Sequence, residues 1–129
     1  MPITDKEGDM PKANKAGTPI AVSEDVIEGR YAELGSYTVG FETFFQDVDP
    51  APLFQGLPDD KCQSPHWGHV VAGRITFRYA DHEETYEAGD VYYAPPGHLP
   101  LIAAGTEVIE FSPTAELNAT MAVVMGNMG

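Results

Sequence analysis

Residues 60–100 read DKCQSPHWGHVVAGRITFRYADHEETYEAGDVYYAPPGHLP, and two glycines punctuate them. Gly73 closes the short apolar run His69–Ala72. Gly89 opens a second run, Asp90–Ala94, which ends at the corner Pro95-Pro96-Gly97. Fifteen residues separate the two glycines. Within them Ile75, Phe77 and Tyr79 alternate onto one face, Ala80–Glu84 is polar, and Thr85–Ala88 returns. Period-two alternation marks half-buried strands, and glycine and proline mark the turns between them. Gly73 and Gly89 therefore bracket a compact hairpin.

Outward from this hairpin the pattern continues. Tyr37, Val39, Phe41 and Thr43 share one face of a strand, so Glu42 lies on the opposite face and is expected to be exposed. Residues 47–60 carry Pro50, Pro52, Gly56 and Pro58 and read as a loop. Leu101–Ala104 and Glu107–Phe111 supply further strands. Short strands divided by Gly/Pro turns predict an all-β sandwich or barrel, whose closure removes unpaired edges. Internal repeats are absent, so one barrel is expected over residues 23–112. After it, Ser112 reads as an N-cap and Pro113 as the first helical position. Leu117, Met121, Val124 and Met128 follow at spacings of four, three and four. That places a helix over Pro113–Met125, within a C-terminal segment 113–129, with Gly126 as its stop. The helix is expected to lie across the barrel or a neighbouring subunit.

The 129 residues suit one domain with a real core. No apolar stretch approaches the roughly 20 residues of a membrane span. Residues 1–22 are polar and rich in glycine and proline, without the apolar middle of a signal peptide, and read as a flexible arm. With 20 acids against 7 bases, the net charge is −13, which repels phosphate backbones and anionic lipid. Nucleic acid and membrane are thus excluded as expected partners. The single cysteine, Cys62, forms no intramolecular disulfide and suits a reducing, cytoplasmic setting.

The glycine frame resembles the two-motif core of the cupin superfamily. In the first motif, G-x5-H-x-H-x(3,4)-E-x6-G, the last glycine falls on Gly73 and the glutamate position on His66. The two histidine positions fall on Asp60 and Cys62, and the leading glycine on Phe54. In the second, G-x5-P-x-G-x2-H-x3-N, Gly89, Pro95 and Gly97 match. Its histidine position falls on Pro100 and its asparagine on Ala104, with His98 two residues earlier. P-H-W-G-H-V-V-A-G with Y-Y-A-P-P-G-H is also similar to small bacterial cupins. The resemblance covers Tyr37 to Phe111. It implies a double-stranded β-helix (jelly-roll barrel), homodimerisation, and a metal or ligand site inside the barrel. The family's three-His-one-Glu set does not carry over to these residues.

Side-chain parity is a second guide. Asp60, Cys62, Ser64 and His66 share one parity, and His98 shares the parity of Pro100. His66, His98, Cys62 and Asp60 are therefore the candidate ligands of a divalent metal. Zinc accepts thiolate, imidazole and carboxylate, and the thiolate favours it. Iron would use His66, His98 and Asp60; manganese is a further possibility. His69 lies three residues from His66 and joins it only through a bulge at Gly68. His82 sits in the polar turn and is expected to be solvated. Trp67, Phe41, Tyr79 and Tyr93 are candidate walls for a small organic ligand. No general base is nominated. Two functions stay open: a metal-dependent enzyme, non-redox if zinc is bound, and a metal-free ligand-binding or sensing barrel. A storage or structural role is a third.

Overall fold

The computed structural model describes residues 11–49 and 51–128. Nine strands and one helix follow in order: β1 (Ile20–Ser23), β2 (Ile27–Leu34), β3 (Tyr37–Phe44), β4 (His66–Ala72), β5 (Arg74–Arg78), β6 (Glu83–Glu87), β7 (Val91–Ala94), β8 (Leu99–Ile102), β9 (Glu107–Pro113) and α1 (Thr114–Met128). Two short 3-10 turns, Ala51–Phe54 and Pro58–Asp60, lie between β3 and β4. The strands form a six-stranded sheet, β1-β2-β3-β9-β4-β7, and a three-stranded sheet, β6-β5-β8. All named pairings are antiparallel. This is the jelly-roll architecture expected from the glycine frame.

Positive φ explains the punctuation. Gly73 (φ +80) and Gly89 (φ +96) flank the β5–β6 hairpin, a backbone region that side chains with a Cβ rarely enter. Gly73 is further constrained from outside, because a Cβ there would stand 2.5 Å from the Thr106 Cα.

The core lies between the sheets. Phe44, Val70, Tyr92, Ala94 and Val108 from the large sheet meet Ile75, Phe77 and Ile102 from the small one. Each of the valine, isoleucine and phenylalanine side chains among them stabilises the fold by about 1.5–3 kcal/mol through burial. A second cluster closes one end of the barrel: Phe54, Leu57, Cys62 and Val124, flanked by Leu53, Leu99, Met121 and Val123. Here α1 packs on its own barrel. Asn127 Nδ2 donates to the carbonyls of Leu53 (2.6 Å) and Gln55 (2.8 Å), so the helix runs through Gly126 and does not stop there. The helix also begins one residue later than Pro113. Ser112 and Pro113 still belong to β9, and the Ser112 side chain points inward and caps nothing.

Of the stretch expected as an arm, residues 1–10 lie outside the described residues. Residues from 11 onward run against the sheet. Thr18 is buried, Lys15 Nζ meets Glu107 Oε2 at 3.1 Å, and Arg30 donates to the carbonyls of Lys15 and Thr18 at 3.2 Å. Ile20–Ser23 then pairs with β2 as an edge strand. Among the described residues, no helix is long and apolar enough to cross a membrane.

Candidate metal centre

Three side chains converge inside the barrel. The ligating atoms of Cys62, His66 and His98 all lie within 4.8 Å of one another, and all three residues are buried. Local backbone pairing puts them there. Cys62 N donates to His98 O (2.9 Å) and Gly97 N donates to Cys62 O (2.7 Å), which sets Cys62 beside His98. Gly97, at φ +96, makes the corner possible. His66 opens β4 opposite Ala94 of β7, and its ring centroid stands 5.0 Å from that of His98.

A hydrogen bond to a carbonyl settles which ring nitrogen of His98 carries the proton. His98 Nδ1 lies 2.8 Å from Pro95 O, and a carbonyl only accepts, so Nδ1 is the donor. Its Nε2 then presents a lone pair. That atom is buried and has no hydrogen-bond partner, a state that costs roughly 1–3 kcal/mol unless something fills it. His66 Nδ1 lies 2.7 Å from Ser112 Oγ, a hydroxyl that can donate or accept, and 3.7 Å from Glu110 Oε1. In the tautomer protonated at Nδ1, with Ser112 accepting, His66 Nε2 turns a lone pair inward, 3.6 Å from Cys62 Sγ. Burial lowers both imidazoles to about 4, assisted at His98 by the neighbouring His66. Both are neutral at pH 7. Burial pushes the Cys62 thiol up to about 11.

The donor set fits zinc. Two neutral imidazoles and one thiol that can deprotonate supply three of the four ligands of a tetrahedral ion, leaving one position for water or a bound molecule. Ser112 holds the His66 ring through its second nitrogen and Pro95 O does the same for His98, as metal-bound histidines require.

Asp60 stays outside this cluster. Parity placed it with Cys62, but Asp59 and Asp60 both take positive φ in the 3-10 turn, so the extended register starts only after them. The Asp60 carboxylate is exposed and accepts from Gly56 N at 3.0 Å. His69 points to the opposite face from His66, with no bulge joining them at Gly68. His82 is exposed and stacks on Tyr79 with centroids 4.8 Å apart.

The aromatic candidates fall elsewhere. Trp67, Phe41 and Tyr93 lie on the outer face of the large sheet, and Trp67 meets Tyr37 edge-on and Tyr93 at a tilt. Tyr79 sits at the edge of the small sheet, its hydroxyl bonded to Pro95 O. None of the four lines the cavity beside the metal cluster. That cavity, of about 270 Å³, is walled instead by Tyr31, Glu42, Glu110 and the residues of α1, together with Cys62, His66 and His98.

Glu42 and Glu110 are the residues that sequence reasoning placed wrongly or passed over. Glu42 does lie opposite Phe41, but its face is the inner one. Tyr31 donates to Glu42 Oε2 (2.5 Å) and Tyr92 donates to Glu110 Oε2. Burial raises both carboxyls to about 7, and for Glu42 the nearby Glu110 carboxylate adds to the effect. Burial, then the facing carboxylate, raises both phenols, so they remain donors. A signal for the tyrosines exists in the sequence. Gly40 pairs with Tyr31 and Gly68 with Tyr92 across the sheet. A Cβ on Gly40 would come within 2.9 Å of the Tyr31 ring, and one on Gly68 within 2.3 Å of the Tyr92 ring. Glycine inside a strand marks such a close approach.

No family model matches the chain, and no curated protein matches it in sequence. Solved structures do match in fold. One is a protein of unknown function from Rhizobium leguminosarum bv. viciae, 15% identical, covering 81% of this chain and 95% of that one, TM-score 0.58. Another is an RmlC-like cupin from Shewanella frigidimarina, 15% identical, covering 81% and 92%, TM-score 0.55. A third is FeII HppE, 14% identical, covering 84% of this chain but 62% of that one, TM-score 0.59. These likenesses show the fold alone: the chain has the jelly-roll fold of small cupin proteins.

Proposed function

We propose that this chain is a small bacterial cupin that binds a divalent metal through Cys62, His66 and His98. In this reading zinc is preferred over iron or manganese, and a small organic molecule occupies the adjoining cavity. The observation that carries it is the buried, unpartnered Nε2 of His98, with Cys62 and His66 close beside it. Bound zinc would supply Lewis acidity without redox chemistry. The chain's own residues orient the two imidazoles, exclude bulk water and, through α1, close one end of the barrel.

Protein purified without an affinity tag and dialysed against zinc should retain stoichiometric metal by elemental analysis. His98→Ala should abolish that retention. Because the thiol holds its proton to about 11, uptake should release a proton and tighten as pH rises. Undetectable metal after dialysis against zinc, iron and manganese would remove this reading.

A second reading, a metal-free ligand-binding or sensing cupin, is favoured by that same protonated, buried thiol. Its signature is ligand-dependent stabilisation that a chelator leaves untouched. In either reading the buried free thiol suits a reducing, cytoplasmic compartment. The outer face of the large sheet, with Trp67 40%, Tyr93 48% and Val91 75% exposed, suits burial against a second copy in a homodimer. Sedimentation velocity tests this directly; a monomer at all concentrations would overturn it.

A further inference from the structure

The cavity's polar inventory is one-sided. Among the described residues its wall includes the carboxylates of Glu24, Glu42 and Glu110 and no lysine or arginine. His66 and His98 are neutral, and His98 turns the lone pair of its Nε2 inward. Glu42 and Glu110 each receive one tyrosine hydroxyl, on Oε2. The Oε1 of Glu42 has no hydrogen bond among the described residues, and that of Glu110 has only the 3.7 Å approach of His66 Nδ1. The buried His98 Nε2 likewise lacks a donor. Acceptors therefore outnumber donors in this wall, and among the described residues that line it no lysine or arginine stands beside the carboxyl pair. A donor carrying positive charge is the group that would pair with both carboxyls in their ionised form. One metal ion on the Cys-His-His set answers His98. It does not answer the glutamates, which stand outside that set. The rest of the wall is apolar, including Ile27, Phe44, Leu117, Met121 and Val124.

We propose that the barrel cavity takes a small molecule with an apolar body and a protonated primary amine, the amine held between Glu42 and Glu110. The apolar body lies against α1 and the inner ends of β2 and β3. The ammonium donates to the free carboxylate oxygens, while Tyr31 and Tyr92 keep both carboxyls in place from behind. In metal-free protein anionic ligands are rejected, because the wall then offers them no cation and few free donors. This deepens the ligand half of the reading above and is independent of which metal binds.

The test uses the whole chain after chelator dialysis, so that the carboxyls are read alone. Binding of n-butylamine, n-butanol and butyrate, matched in size, is followed by calorimetry and thermal shift at pH 7. The amine should bind about tenfold or more tighter than the alcohol, as a charge-assisted hydrogen bond allows, and butyrate should not bind. In Glu42→Gln, which keeps the side-chain shape, the preference for amine over alcohol should fall about tenfold. Equal binding of amine and alcohol by the unaltered protein, or any preference for butyrate, overturns the proposal. So does an amine preference that survives Glu42→Gln and Glu110→Gln together, since it would then belong to the acidic outer surface. Zinc uptake is measured separately. Its failure with the amine preference intact removes only the metal reading, and the converse removes only this one.

Discussion

The six-stranded sheet turns tryptophan, tyrosine and phenylalanine outward, and glutamate, histidine and serine inward. Trp67, Tyr93 and Phe111 lie on the outer face, each at least 40% exposed. On the inner face of the same three strands, β4, β7 and β9, stand His66, Tyr92, Glu110 and Ser112. A sheet face normally buries its apolar row and wets its polar one. Here an outer apolar row is half uncovered, and the inner face seals polar groups beside its apolar core residues under the small sheet and α1. The difference teaches what each face is for. Polar groups sealed from water have to be satisfied by one another or by an occupant, and apolar groups left open call for a covering surface.

The largest expected effect is on the inner face. Gly68→Ala drives a methyl into the Tyr92 ring, which a Cβ would meet at 2.3 Å, and should cost about 3 kcal/mol in urea denaturation. A cost below about 1 kcal/mol would mean that the ring does not lie flat on the strand.

Next in size is a pH effect that the inner face hides from itself. In metal-free protein, Glu42 and Glu110 keep their protons to about 7 when folded but to 4.5 when unfolded. The folded state therefore loses stability as pH climbs through that window. His66 and His98 stay neutral down to about 4 when folded but take up protons at 6.5 when unfolded. They add stability over nearly the same climb. The two contributions oppose, so the unaltered protein should show a nearly flat melting temperature between pH 4.5 and 6.5. Glu42→Gln removes one opposing group, and stability should then rise over this range by on the order of 2 kcal/mol. A variant whose melting temperature falls with pH would show that the histidines are not buried as neutral rings.

The smallest effect belongs outside. Trp67→Ser with Tyr93→Ser should change the stability of the single subunit by about 1 kcal/mol or less, leave zinc retention as it was, and abolish self-association in sedimentation. Loss of zinc retention in this variant would contradict the separation of the two faces.

The hairpin between Gly73 and Gly89, the corner at Gly97 and most of the strands were legible because turns and period-two alternation are local properties. So was the meeting of His66 with His98 and Cys62, since parity on two neighbouring segments already pointed all three the same way. Strands β1 and β2 were not assigned. The polar composition before residue 23 reads as an arm, and β2 interrupts its alternation with Gly29, which makes room for Tyr31. The helix was legible, but its start was not. A serine before a proline reads as a cap, and only the register of β9 shows Ser112 facing His66.

The amino-acid order by itself determined an all-β barrel and, within each strand, which residues share a face, because steric alternation along a strand is independent of what surrounds it. Only the tertiary structure decided which of those faces is the inside. Apolar content predicts the buried side only when each sheet has a single apolar face to hide. This sheet keeps an apolar face on the outside as well, so the closing of the small sheet and α1 over the other one sealed in Glu42 and Glu110 and left Trp67 and Tyr93 outside.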